Sequence, residues 1–433
     1  MLTRVLRIAA GCVIVSLSCL PPARAGIQEI ERSRALYREA VVARENRDHA
    51  AYLERMRACA RLRPDHPELL YALATAYALN GDADSALVCL DRIAEMGLTA
   101  PAREDSSFIA LAGEKRFKSA LDRLDANTQP TMTCRIAFTL PQQDLVPEGL
   151  AYEPGSRSFF VSSVRDRKIM RYQRGEITRF AGGPADSLWS MMGMKLDASR
   201  GRLWVATAAI REGRGLPAKD LGRTGVLAFD IRTGALSSAR ILPEDGAQHL
   251  FGDLTLDAHG DVLVTDSAGG GLYRVAAAGG APQVLIPPGT FLSPQGLDMA
   301  GDGTHLYLSD YSQGVFRVDL GTGTATLMRH PPRQTLLGID GLYRHGNTLI
   351  AVQNGVRPQR VLRLTLSGGG ERIEAIEVLE SSLPIFDDPT LGVIVGDAFY
   401  FIANSHWPQF DADGNLPPPE RLTPPTILRV ALD

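Results

Sequence analysis

Two textures of hydrophobic and polar positions divide the chain. From residue 26 to about 127, apolar residues recur at three- and four-residue spacing among Ala, Leu, Arg and Glu, which predicts amphipathic helices. In PELLYALATAYALNGDADSALVCLDRIAEMG (67–97), Leu73, Ala74 and Tyr77 fall on one helix. Asn80-Gly81-Asp82 makes the turn, and Ala86, Leu90 and Ala94 line the next helix, with small residues where the two approach. DANTQPTMT (125–133) reads as a linker. Beyond it helical spacing stops, and short strand-like runs alternate with Gly, Asp and Asn turns.

The strand-like runs superimpose on one another. GLAYEPGSRSFFVSS, GMKLDASRGRLWVAT, DLTLDAHGDVLVTDS, GLDMAGDGTHLYLSD, GLYRHGNTLIAVQN and GVIVGDAFYFIANS begin at 149, 193, 253, 296, 341 and 392. Each has an apolar strand, a turn and a second strand, and most are followed by further strands such as KIMRYQ or GVFRVDL. Recurrence every 43 to 60 residues, with about four strands per unit, predicts a β-propeller of six blades over 134–433. TILRVALD (426–433) supplies the third strand of the last blade and CRIAFTLP (134–141) its fourth, which closes the ring and removes an exposed edge. The expected fold class is therefore α + β and multidomain: a small helical domain at 26–127, then the propeller.

The helical part resembles tetratricopeptide repeats. The 67–97 stretch carries the resemblance, 34–66 is a weaker copy, and FIALAGEKRFKSALDRL (108–124) is similar to a terminal capping pair. Such a short stack is expected to bury its apolar faces against the rest of the chain or a partner.

Charge and composition narrow the function. The 433 residues carry a net charge of −3 and no basic block, which excludes the electrostatic footprint of a nucleic-acid binder. Residues 1–25 read as a secretory signal: Arg4 and Arg7, a short apolar run, then Ala23 and Ala25 before Gly26. The expected location is exported, periplasmic or secreted. A lipoprotein reading through Cys19 is weakened by Ser16 where a lipobox carries Leu. No later run is long enough for a transmembrane helix. Cys59, Cys89 and Cys134 remain after the signal, an odd number that makes no disulfide framework. A Cys59–Cys89 bridge between neighbouring helices is the alternative to two small buried apolar residues.

Candidate chemistry sits where the first strand of each blade meets the central channel. The residues there are Glu148, Met192, Gly252, Gln295, Asp340 and Leu391. Glu148, Gln295 and Asp340 bring two carboxylates and an amide to one axis. Carboxylates in a narrow channel repel unless a cation or proton intervenes, and an all-oxygen set suits a hard divalent cation. The alternative is a hydrated channel with no metal. Where second strands return to the same end stand Arg165, Asp266, Asp310, Tyr311, Asn354, Asn404 and His406, expected to ring the mouth and bind substrate, although Asp in VTDS and YLSDY also caps turns.

PEGLAY (147–152), PQGLDM (294–299) and IDGLYR (339–344) carry a second resemblance, over about 300 residues. The chain looks like the senescence-marker-protein/gluconolactonase/luciferin-regenerating family of six-bladed propellers. The resemblance implies one divalent cation held by Glu148, Gln295 and Asp340: Ca²⁺ first, with Mg²⁺, Mn²⁺ or Zn²⁺ as alternatives. Gln295 stands where that family has Asn, and Gly252 where it has a second Asn. The implied activity is metal-dependent hydrolysis of a lactone or small ester; in such a reaction Asp340 or Asp253 could take the proton of the attacking water. The other expectation is a non-catalytic exported scaffold, binding a protein through the helices and a small ligand at the propeller mouth.

Overall fold

The computed structural model describes residues 22–183 and 188–433. The expected leader, Cys19 included, lies outside the described residues up to position 21. The first helix begins at Pro22 and so runs through the expected cleavage point after Ala25. No helix among the described residues is long and apolar enough to cross a membrane.

Five helices come first: α1 (Pro22–Glu45), α2 (His49–Leu62), α3 (Pro67–Leu79), α4 (Ala83–Glu95) and α5 (Lys115–Ala126). Their starts follow from local chemistry. Asp48 accepts from Ala51 N at the head of α2, and Asp82 accepts from Ser85 N at the head of α4, each satisfying an amide with no partner inside its helix. Gly81 takes a positive φ in the turn between α3 and α4, as read from Asn80-Gly81-Asp82. Leu70, Leu73, Ala74, Ala86, Leu90 and Ile93 form the seam, and Phe117, Leu121 and Leu124 of α5 close it. Val356 of the propeller belongs to the same cluster, so part of the helical apolar face is covered from within the chain. Cys59 and Cys89 are buried free thiols, and no disulfide joins them.

Six four-stranded antiparallel sheets follow, one per blade. The inner strands are Pro147–Glu153, Ser190–Asp197, Phe251–Leu256, Pro294–Met299, Ile339–His345 and Gly392–Ile394. The sixth sheet contains Arg135–Thr139 as its outer strand, paired antiparallel with Thr426–Ala431. The stretch read as a linker is pinned rather than free. Thr131 bridges to Ser381, and Thr133 donates through its amide and hydroxyl to the Glu380 carboxylate. The helices are tied to the same blade. Arg360, fully buried, donates to Met96 O at the end of α4 (2.8 Å) and to Gln353 Oε1 (2.6 Å). Its charge faces the negative end of a helix dipole.

In the first five blades the inner strand carries one extra residue at its start. The pairing slips between Pro147 and Leu150, Met191 and Met194, Phe251 and Leu254, Pro294 and Leu297, and Ile339 and Leu342. These are β-bulges, which turn a side chain out of the regular pleat. Within them sit Glu148-Gly149, Met192-Gly193, Gly252-Asp253, Gln295-Gly296 and Asp340-Gly341. The glycines have a steric cause: a Cβ at Gly149 would strike Met192 O, and one at Gly296 would strike Asp340 O and Leu342 N. Neighbouring inner strands therefore touch backbone to backbone at the mouth. Side chains clip the junctions. Ser162 Oγ donates to Met192 O (2.8 Å), Thr265 Oγ1 to Gln295 O (2.9 Å), and Thr390 Oγ1 to Glu148 O (3.3 Å).

The Gly296→Ala variant is expected to lose about 3 kcal/mol of stability, because the obstructing atoms are backbone and cannot step aside. Gly368→Ala, whose Cβ meets nothing within 4 Å, is the control. Chemical denaturation of the two variants beside the parent measures the difference.

Candidate functional site at the channel mouth

The bulges aim Glu148, Gln295 and Asp340 toward the channel from blades 1, 4 and 5. Each keeps one polar atom engaged. Trp407 Nε1 donates to Glu148 Oε2 (2.7 Å). Asn354 Nδ2 donates to Asp340 Oδ2 (2.9 Å), and Asn354 Oδ1 accepts from Tyr311 Oη (2.9 Å). Gln295 Nε2 donates to Ser293 Oγ (2.9 Å), which leaves its carbonyl oxygen to face the axis side. A Cβ at Gly252 would lie 2.8 Å from Ser267 Oγ and 3.8 Å from Gln295 Oε1. The missing side chain thus leaves a gap lined by an amide oxygen and by a buried hydroxyl that has no partner.

The electrostatics are those of carboxylates crowded together in a poorly solvated channel. Burial, then the charge of Asp340, pushes Glu148 well above the usual carboxylate range. Burial, then the charge of Asp388, raises Asp340 to about 7. Asp388 itself is raised to about 6 by burial, against the nearby Arg357 guanidinium. Asp253 is raised to about 7, again chiefly by burial. It lines a cavity of about 280 Å³ that also touches Lys195, Asp298 and Arg344. Their positions lie further along the inner strands, so this cavity belongs to the opposite end of the channel. Asp253 itself sits in the bulge of the third blade, and its charge reaches both Glu148 and Asp340.

Two roofs cover the mouth. The 403–425 loop, between the second and third strands of blade 6, crosses toward blades 1 and 2. Trp407, Phe410 and Leu416 pack there with Val146, Met192 and Trp204. Over blades 4 and 5 stand the helices. A cavity of about 870 Å³ lies between them and the propeller, lined by Tyr37, Arg44, Glu68, Tyr71 and Thr75 from the helices and by Tyr311, Asn354, Arg357 and Asp388 from below.

The expected substrate-binding ring divides. Asn354 and Tyr311 belong to the mouth. Asp266, Asp310 and Asn404 are fully buried and engaged by the main chain. Asp266 accepts from Leu250 N and Gly269 N, and its Oδ2 lies 2.5 Å from His249 Nδ1. Asp310 accepts from Leu292 N, Ser293 N and Ser312 N. Asn404 accepts from Thr426 N and donates to Pro424 O. Arg165 serves the first roof, donating to Gly414 O (2.8 Å) and Glu212 O (3.2 Å). His406 is buried between Asp387 Oδ2 (2.9 Å) and Thr423 O (2.8 Å), and the contact holds Asp387 below the usual range. These five residues build the walls rather than present free groups. Asp388 and Trp407 were missed. Asp388 precedes Pro389 at the entry to the sixth inner strand, where a polar residue shortly before Leu391 was the available signal. Trp407 follows His406 directly in IANSHW.

No family model matches the chain, and no curated protein matches it. Among solved structures it is similar to a proposed glucose-dehydrogenase oxidoreductase from Thermus thermophilus, at 18% identity over 68% of this chain and 99% of that one, TM-score 0.49. It is similar to a PQQ-bound aldose sugar dehydrogenase from Streptomyces coelicolor, at 13% identity over 70% and 98%, TM-score 0.47. A luciferin-regenerating enzyme gives 14% identity over 70% and 95%, TM-score 0.49.

The raised carboxylates fix a direction for pH dependence. A group whose folded pKa exceeds its unfolded value adds stability at low pH and loses it as pH rises through the folded value. For Asp340 that window runs from about 4 to about 7. Metal-free protein is therefore expected to melt at lower temperature at pH 8 than at pH 5. Asp340→Asn should flatten that decline and gain on the order of 1 kcal/mol at pH 8, channel water screening the larger value that full burial would give. Thermal unfolding in a chelator at several pH values reads both.

Proposed function

We propose that the protein is a hydrolase of a lactone or small ester, with a divalent cation held at the channel mouth by Glu148, Gln295 and Asp340. The observation that carries this reading is a pair of buried, raised carboxylates, Glu148 and Asp340, whose charges reach one another beside the cavity that Asn354 and Asp388 line. Among the described residues no three His, Cys, Asp or Glu side chains stand together as a metal group. The proposed set is instead two carboxylates and an amide, each with an oxygen making no hydrogen bond, beside the partnerless Ser267 hydroxyl. That donor chemistry fits a hard cation such as Ca²⁺.

A bound divalent cation would polarise a carbonyl oxygen and ease attack by water. The chain's own groups do the rest. Asn354 fixes the Asp340 carboxylate, and Tyr311 fixes Asn354. Trp407 fixes Glu148 and covers it with an apolar ring. Asp388, raised to about 6 and lining the roofed cavity, is a carboxylate beside the mouth that can take a proton from water near neutral pH. The tetratricopeptide-like helices enter this reading as a wall of the substrate cavity. Their inner face is turned to the propeller and tied there by Arg360, which weighs against a helical array left open for a protein partner.

The test is calorimetric titration of Ca²⁺ into metal-stripped protein, with Asp340→Asn alongside. One site in the parent, weakened about a hundredfold or more in the variant, is expected, since removing one charged ligand costs roughly 3 kcal/mol. Hydrolysis of a lactone and ester panel should fall with it. No heat with Ca²⁺, Mg²⁺, Mn²⁺ or Zn²⁺ would sink the metal-hydrolase reading.

A further inference from the structure

The roofed cavity does not stop at the channel mouth. It continues beneath α1 into a second cavity of about 420 Å³. Tyr37, Pro67, Glu68, Tyr311, Gly355 and Val356 line both, so the two form one cleft between the helices and the propeller. The charges along it are unevenly placed. Near the channel, Glu68, Glu104, Asp125 and Asp388 offset Arg44 and Arg357. The far end is lined by Arg34, Arg38 and Arg63, with Glu68 as the one acidic residue among its lining side chains.

These arginines are brought together by the helices. Arg34 and Arg38 lie one turn apart on α1, where like charges repel. Neither forms an ion pair or hydrogen bond with another described residue. Arg63 follows the last turn of α2 and donates to Ser312 O (2.6 Å), a neutral carbonyl. Burial, then the charge of Arg34, lowers Arg63 to about 10. The same surroundings hold His66 down to about 3, so it stays neutral, and its Nδ1 is buried without a partner. Asp310, a carboxylate whose charge reaches Arg63, is already engaged by backbone amides. A cleft that gathers guanidinium groups and withholds counter-charge has the chemistry of an oxyanion receptor, since planar guanidinium forks match carboxylate and phosphate oxygens.

We propose that the Arg34–Arg38–Arg63 end of the cleft is an anion subsite, which holds the carboxylate or phosphate of a small acidic molecule whose other end lies at the channel mouth. The Tyr311–Asn354–Asp340 chain of hydrogen bonds joins the wall shared by the two cavities to the channel carboxylate. The substrate class becomes an acidic ester or lactone, selected by the helices and worked on by the propeller. As a statement about substrate this rests on the channel reading above. As an anion site it stands on the arginines alone.

Inorganic phosphate and gluconate, titrated separately at low ionic strength into the purified protein, test it. Binding of either at one site is expected, weakened roughly tenfold or more in Arg34→Gln/Arg38→Gln. Arg34→Lys/Arg38→Lys should keep part of the affinity, retaining charge and losing the fork. Thermal stability without ligand and Ca²⁺ binding should not move in the Gln variant, so a general loss of folding is distinguished. Phosphate alone or gluconate alone assigns the preferred oxyanion. Equal binding to parent and Gln variant, or no binding of either probe, overturns the subsite. Phosphate binding that survives in a protein with no divalent-cation site leaves the subsite standing and removes the channel reading instead.

Discussion

Six strands can start around one axis only if their backbones meet where they start. At this mouth the contact leaves no room for a side chain at Gly149 or Gly296, because carbonyls of the next blade occupy the space. Hydroxyl groups of Ser162, Thr265 and Thr390 bind inner-strand carbonyls, those of Met192, Gln295 and Glu148, across the junctions. The bulge that admits the glycine also rotates the preceding residue toward the channel. Close packing of the ring and display of Glu148, Gln295 and Asp340 are thus two results of one local geometry.

Display has an electrostatic cost, and the surroundings set how it is met. Carboxylates brought this near one another bind protons or cations more tightly than they would in water. Trp407 and the loop that carries it shield one side, and the helices shield the other. The buried Arg360 holds the helical side in place without using a carboxylate, so acidic groups are reserved for the channel and its rim.

Much of this was legible in the sequence because it is written locally. Blades 1, 4 and 5 start with a polar-Gly-Leu signature at the bulge, and the six sheets fall where the recurring strand-turn-strand units place them. Glu148 and Asp340 could be read because position in the bulge fixes direction. The ring of second-strand residues could not be sorted the same way. Asp266 and Asp310 have the residue type that binds ligands and equally the type that binds backbone amides, and only the tertiary arrangement gives them to the amides. The placement of the helices over blades 4 and 5 was also hidden. It depends on Arg360 meeting Met96 O, 264 positions earlier, and on Val356 joining the helical core. Asp388 gained its importance from that placement.

The closing strand has a bearing on how the molecule is made. Arg135–Thr139 is among the first propeller residues to be synthesised, and its partner Thr426–Ala431 is among the last. Until the final residues arrive, the sixth sheet lacks its third strand and the outer strand has nowhere to pair. The contact that locks the ring therefore spans nearly the whole propeller sequence, a slow class of closure.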